Sequence, residues 1–224
     1  MTRKSCLCAS LTICLLITQA TVSFGHQPAT PPALRVTILA QSPAETTTDL
    51  QIICLFNSSP DNTLQGSLAE TNEKLHHLLD QIRKPGLFNG DLGETLLIAP
   101  PAGTLSAKSL LIIGLGDSST FTPDRMYLVG KIAFREANRL GIAHPFFAPT
   151  VLDGGVTLFS TDVVAEQVVG GFRDALATET LLQAAHAAVP LSVKDFTYLA
   201  GAKNATTTQK GIDRALVPPN QSLN

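Results

Sequence analysis

The segment Leu50 to Phe56 reads Leu-Gln-Ile-Ile-Cys-Leu-Phe, with one polar side chain in seven. A strand with one face in water alternates apolar and polar residues, because successive side chains point to opposite faces. Here both faces are apolar, so the segment predicts an inner strand covered on each side. Helical patterns elsewhere supply the cover. Leu68, Leu75, Leu78, Leu79 and Ile82 fall on one face of a helix that Ser67-Leu68-Ala69-Glu70 opens as a capping box and Lys84-Pro85-Gly86 ends. Met126, Val129, Ile132, Ala133, Ala137 and Leu140 form the stripe of a second helix, started by Thr122-Pro123 and stopped by Gly141. A third, capped by Ser160 or Thr161, buries Val164, Ala165, Val168, Phe172, Ala175 and Leu176.

Further strands are expected at Leu34 to Ala40, Glu94 to Ala99, Ser109 to Gly114, Pro145 to Leu152 and Asp195 to Ala200. The polar connection Ser42 to Asp49 suits a hairpin or a short crossover. Strands alternating with long amphipathic helices predict an α/β protein: a three-layer α/β/α sandwich on a mixed, largely parallel sheet. One domain is the simplest count, and there is no internal repeat. Gly170-Gly171 in mid-helix costs about 1 kcal/mol per glycine, which predicts a neighbouring element packed close there.

The ends of the chain read differently. Arg3 and Lys4, the apolar stretch Leu7 to Ile17 and the small residues Ser23 and Gly25 have the layout of a secretory signal, so residues 1–25 are expected to be removed near Gly25. The apolar stretch is shorter than the roughly 20 residues of a membrane span, and the expected product is an exported protein with no span. Three of four cysteines, Cys6, Cys8 and Cys14, lie in that leader. Cys54 remains, in an apolar run, and inert packing is its expected role. Residues 26–33 are a Pro-rich lead-in, 34–202 the folded domain, and 203–224 a polar tail with at most a short helix near Gln209 to Ala215.

Charge narrows the partners. Of 16 Lys and Arg, two lie in the leader, leaving 14 against 18 acidic residues and a net charge of −4. That balance disfavours nucleic acid and anionic membranes. With no Trp, aromatic stacking platforms for bases or sugars are not expected either.

Three stretches carry a family resemblance. Gly86-Leu87-Phe88-Asn89-Gly90-Asp91-Leu92-Gly93-Glu94 fits a G-x-F-x-G-x-x-G-E pattern, Ile113-Gly114-Leu115-Gly116 ends a strand, and Ala165-Glu166-Gln167-Val168-Val169-Gly170-Gly171-Phe172 lies in a helix. In this order they resemble the non-catalytic N-terminal domain of the M17 leucyl aminopeptidases, over roughly Leu34 to Ala200. The resemblance implies a macro-domain-like fold. It also implies what is missing. M17 enzymes hold two metal ions with a Lys, several Asp and Glu residues and an N-T-D-A-E-G-R signature in a following domain, and this sequence contains no such signature. Ser160-Thr161-Asp162 is a superficial likeness in a helix of the wrong domain. No catalytic, metal-binding or cofactor-binding residue is therefore assigned, and no cofactor is expected.

The remaining candidates are loops. Gly114-Leu115-Gly116-Asp117-Ser118-Ser119, running into a helix start, has the glycines and helix N-terminus of an anion or nucleotide site. It lacks the third glycine and the lysine of a phosphate motif, and Asp117 opposes phosphate. Asp153-Gly154-Gly155 is a second turn at the same sheet edge by expectation. Gly114, Gly116, Asp117, Ser118, Asp153 and Gly154 are accordingly the candidate ligand or interaction residues. His76-His77, if helical, point about 100° apart and cannot chelate one ion as an i, i+4 pair would. Sequons at Asn57, Asn204 and Asn220 have meaning only in a eukaryotic secretory pathway.

The leading expectation is an exported, non-catalytic interaction or assembly module that binds a protein partner or itself. Two alternatives stand beside it. One is an accessory part of a metallo-aminopeptidase whose catalytic domain is on another chain. The other is a macro-like domain binding a small molecule or nucleotide.

Overall fold

The structure is a computed structural model that describes residues 30–57 and 63–217. The leader, and with it the expected cleavage site, lies outside those residues, as does Asn220. Six strands form one sheet: β1 (Arg35–Leu39), β2 (Gln51–Phe56), β3 (Thr95–Ile98), β4 (Leu110–Gly116), β5 (Phe146–Ala148) and β6 (Asp195–Leu199). Their order is β1-β6-β5-β2-β4-β3, and β3 alone runs antiparallel to its neighbour. The α/β/α expectation on a mixed, largely parallel sheet holds.

The doubly apolar segment lies where its composition demands. β2 sits between β5 and β4, and no residue from Leu50 to Phe56 is more than 2% exposed. On one face Ile52, Cys54, Leu111 and Ile113 pack under α3 (Arg125–Arg139), α4 (Thr161–Ala184) and α5 (Ala205–Leu216). On the other, Ile53, Leu55, Leu110 and Ile112 pack under α1 (Gly66–Lys74) and α2 (Leu78–Arg83). Phe172 stacks on Phe196 at 4.0 Å and meets Phe147 edge-on at 5.5 Å, which fixes α4 over β5 and β6.

Of the two connections open for Ser42 to Asp49, the structure has the crossover, because β1 and β2 are separated by β6 and β5. Three expectations change. The first helix is broken in two: His76 and His77 take positive φ of 54° and 60°. The buried Asn72 drives the break. Its amide oxygen accepts from the Leu79 N–H (3.0 Å) and its amide nitrogen donates to Asp80 (2.7 Å), capping the second piece at the expense of continuous helix. The capping box is not formed either. Gln65 occupies the N-cap, while the Ser67 hydroxyl donates to Asp153 and Glu70 accepts from Ser42 (2.6 Å). Finally, the polar tail carries a full helix, α5, docked on α4.

Glycines set how closely the three upper helices approach. A Cβ at Gly171 would stand 2.2 Å from the Tyr127 carbonyl oxygen, and one at Gly130 2.2 Å from that of Val168. A Cβ at Gly211 would stand 1.9 Å from the Asp162 carbonyl oxygen. α4 is therefore in backbone contact with both neighbours. Arg214 adds ion pairs to Asp162 (2.9 Å) and Glu166 (2.8 Å), and Arg173 donates to the Ala215 carbonyl. The predicted close packing at Gly170-Gly171 is real, but only Gly171 is required for it: Gly170 faces the Tyr127 ring at an ordinary 3.4 Å.

The two glycines thus respond oppositely to the same substitution. Gly171→Ala is expected to lower stability by roughly 1–3 kcal/mol through forced helix separation. Gly170→Ala is expected to leave it unchanged or raise it by up to about 1 kcal/mol through helix propensity. Urea denaturation midpoints of the two variants check the contrast.

Candidate functional site

Five of the six strands are parallel, so their carboxyl ends share one edge of the sheet, the usual place for a crevice in an open α/β fold. β5 stops after three residues, at Ala148, while β2 continues to Phe56. This leaves Cys54 with its backbone groups unpaired on the β5 side. Thr150 fills the gap: its hydroxyl accepts from the Cys54 N–H (2.9 Å) and donates to the Cys54 carbonyl (2.5 Å). To do so it adopts φ of 49°, a left-handed conformation that a β-branched residue rarely takes.

Beside this substitute rung, the edge opens into a cavity of about 380 Å³ over the ends of β1, β6 and β5. Its polar lining comes from both sides of the sheet. Ser67, Glu70 and Asp153 stand on the α1 side; Tyr198, Thr161 and Thr208 stand on the α4 and α5 side. Pro43, Val151, Phe159 and Val164 supply apolar wall. The Asp153 carboxylate takes the Ser67 hydroxyl, and burial pushes its pKa up against the lowering effect of that bond. Glu70, held by Ser42, also pairs with Lys74 at 3.6 Å. Two lining residues, Tyr198 and Thr161, have buried hydroxyl oxygens (Oη and Oγ1) with no hydrogen-bond partner among the described residues. Burial raises the Tyr198 phenol pKa, so it keeps its proton.

Of the sequence candidates, only Asp153 lines this cavity. Gly154 follows it but packs against the Phe56 ring, 2.4 Å from where its Cβ would stand. Gly114 and Gly116 belong to a different arrangement. A Cβ at Gly114 would stand 2.0 Å from the Asp91 carbonyl oxygen, and the Gly116 N–H donates to the Gly90 carbonyl (2.9 Å). The Glu94 carboxylate closes that loop by accepting from the N–H groups of Asn89 (3.0 Å), Gly90 (2.7 Å) and Asp91 (3.1 Å). The G-x-F-x-G-x-x-G-E stretch is thus a clamp that seats its loop on the end of β4. Asp117 and Ser118 lie in the turn beyond, where Asp117 accepts from the Ser119 N–H and hydroxyl (2.8 Å each). Those bonds hold its carboxyl below the usual range.

Sequence reasoning passed over Ser42, Glu70, Thr161 and Tyr198 as site residues. Ser67, Glu70 and Thr161 read as helix caps and Tyr198 as an ordinary strand position. The usable signal was position for most of them: Ser42 and Tyr198 lie near strand ends and Thr161 at a helix start, whereas Glu70 lies in the middle of α1. Cys54 is fully buried and free, with its thiol pKa pushed up by burial. His76 and His77 sit in the left-handed break between α1 and α2, not in a helix. Among the described residues no group of three or more His, Cys, Asp or Glu is placed to hold a metal ion, and no helix is long and apolar enough to cross a membrane.

A six-stranded mixed sheet in this order, covered on both faces and opening at the strand ends, is an α/β/α fold of the macro-domain type. Solved structures agree. The macro domain of ganglioside induced differentiation associated protein 2 superposes with TM-score 0.59 at 12% identity, covering 82% of this chain and 85% of that one. A Trypanosoma brucei macrodomain in complex with ADP-ribose gives 0.54 at 15% identity, covering 79% and 68%. A tomato leucine aminopeptidase variant gives 0.58 at 17% identity, covering 83% of this chain and 36% of that one.

Sequence comparison is more specific. Residues 52–176 match the cytosol aminopeptidase family, N-terminal domain. A probable cytosol aminopeptidase of Roseiflexus castenholzii is 30% identical over 141 residues, 62% of this chain and 26% of that protein. The chain belongs to the cytosol aminopeptidase family through its N-terminal domain, and it spans about a quarter of the length of this relative.

The Thr150 rung is testable. Thr150→Val strands a buried N–H and carbonyl, so a loss of about 2–3 kcal/mol is expected. Thr150→Ser keeps the hydroxyl and is expected to cost less than about 1 kcal/mol. Thermal or urea unfolding of both variants measures the difference.

Proposed function

We propose that this domain works by binding and not by hydrolysis, as an exported accessory unit whose ligand sits in the cavity over β1, β6 and β5. The observation that carries this reading is the cavity of about 380 Å³ at the strand ends, with Glu70 and Asp153 in its lining. The volume lies within the roughly 300–1,000 Å³ of pockets that hold small molecules. Leu152, in the loop after β5 and 37% exposed, offers apolar contact in its lining. The macrodomain neighbours support a small-molecule reading in general terms, since one was solved with ADP-ribose. The matched region is the N-terminal domain of a peptidase family, so any peptide hydrolysis would need residues outside the pattern seen here. An accessory role beside a catalytic chain fits the same observations.

The test uses the chain from His26 onward. Calorimetry against a panel of amino acids, their capped derivatives, nucleosides, nucleotides and ADP-ribose is expected to give saturable binding that Ala202→Trp, at the exposed mouth, abolishes. No metal-dependent release of leucine from a chromogenic leucine anilide is expected. Metal-dependent turnover by the purified chain would overturn the non-catalytic reading, and silence across the panel would overturn the binding one.

Assembly with a protein partner or a second copy is a further reading, favoured by the sheet's edge. The outer side of β3 carries no strand, and Leu97 on it is 47% exposed with Leu87 at 75% nearby in sequence. Such an edge is open to added strands. Sedimentation is expected to show an oligomer that Leu97→Lys dissociates; a monomeric parent chain at tens of micromolar, about the range of weak self-association, rules out self-assembly by this edge.

A further inference from the structure

Resting on the reading of the cavity as a binding site, we infer that it excludes phosphate and carboxylate groups and takes an uncharged molecule with an apolar body.

Anions bind where backbone N–H groups converge, at helix starts and in tight loops. The strand-end edge has such places, and carboxylates of the chain itself occupy them. At the start of α1, Asp153 accepts from the hydroxyl and the backbone N–H of Ser67. In the first turn of α4, Asp162 accepts from the Ser160 hydroxyl and the Val163 N–H, and Arg214 pairs with it at 2.9 Å. Beyond β4, Asp117 takes the Ser119 N–H (2.8 Å). Glu94 takes those of Asn89, Gly90 and Asp91. The groups that would hold a phosphate are therefore already engaged.

The cavity lining repeats the exclusion. It holds two carboxylates, Glu70 and Asp153, and no Lys, Arg or His. An entering anion meets repulsion with no cation to offset it. Neither carboxylate calls for a ligand cation. Glu70 accepts from Ser42 (2.6 Å) and pairs with Lys74 (3.6 Å). Asp153 rests on the N-terminus of α1, whose dipole favours negative charge. A ligand charge of either sign would be left without a match, and burying it would cost affinity.

What the lining still offers is apolar surface and a neutral amide. Leu152 is exposed, and Phe159 and Pro149 are half-buried. Asn204, at the N-cap of α5, makes no side-chain capping bond, so its carboxamide is placed to donate and to accept. Such a lining gains by covering an apolar body and orienting it with one uncharged polar group.

The experiment is calorimetry and saturation-transfer NMR on the chain from His26 onward, with probes that share a body and differ in charge. One series is N-acetyl-L-phenylalaninamide (neutral), N-acetyl-L-phenylalanine (anion) and L-phenylalaninamide (cation). The other is adenosine, AMP and ADP-ribose. At least one neutral probe is expected to bind, with its charged counterparts weaker by at least about tenfold. Leu152→Lys, which puts the missing cation at an exposed lining position, is expected to bind AMP at least about threefold tighter than the parent chain does. A charged probe that binds as tightly as its neutral counterpart overturns the assignment and leaves the cavity a binding site. A Leu152→Lys variant that binds AMP no better than the parent overturns it too, since charge is then not what the lining reads. No binding by any probe removes both the assignment and the cavity reading.

Discussion

β2 and β4 cannot meet water on either face, and the rest of the architecture answers that constraint. Their side chains point alternately up and down, and each set is fully buried. Two helices close one face and three the other. The upper layer must hold three helices within the span of six strands, and it does so by bringing backbones into contact at Gly130, Gly171 and Gly211. Removing the side chain at those crossings costs helix propensity of roughly 1 kcal/mol each, which the closer packing offsets.

The same sheet produces the cavity by where its strands stop. A long β5 would have paired with β2 along its length and filled the edge. The short β5 obliges Thr150 to complete the ladder with a side chain in a strained backbone conformation, and the chain beyond it swings out to carry Asp153 toward α1. The strained Thr150 backbone and the part-buried Asp153 carboxylate gather within one small region.

The motif that marks the family and the residues that line the cavity are different sets, and they were not equally legible. The G-x-F-x-G-x-x-G-E stretch identifies the domain because its glycines and Glu94 perform one geometric task, seating a loop on β4, that no other residue types do as well. Its function is architectural, which is why Gly114 and Gly116 lie away from the cavity. Ser67 and Glu70 fit a capping box by spacing, but each found a stronger partner far away in sequence, Asp153 and Ser42. The apparent tail beyond Lys203 became α5 for a comparable reason. Ile212 and Gly211 have little helical signal alone, yet they dock on a helix already in place.

The sequence by itself determined the layers. A segment apolar on both faces needs covering twice, and helical stripes at Met126 to Leu140 and Val164 to Leu176 can cover it, because periodicity is a local property of the chain. Strand order, the early end of β5 and the meeting of Asp153, Thr161 and Tyr198 were decided only in three dimensions. Those depend on which strand lies beside which, and contacts between residues tens of positions apart leave no spacing for a one-dimensional pattern to record.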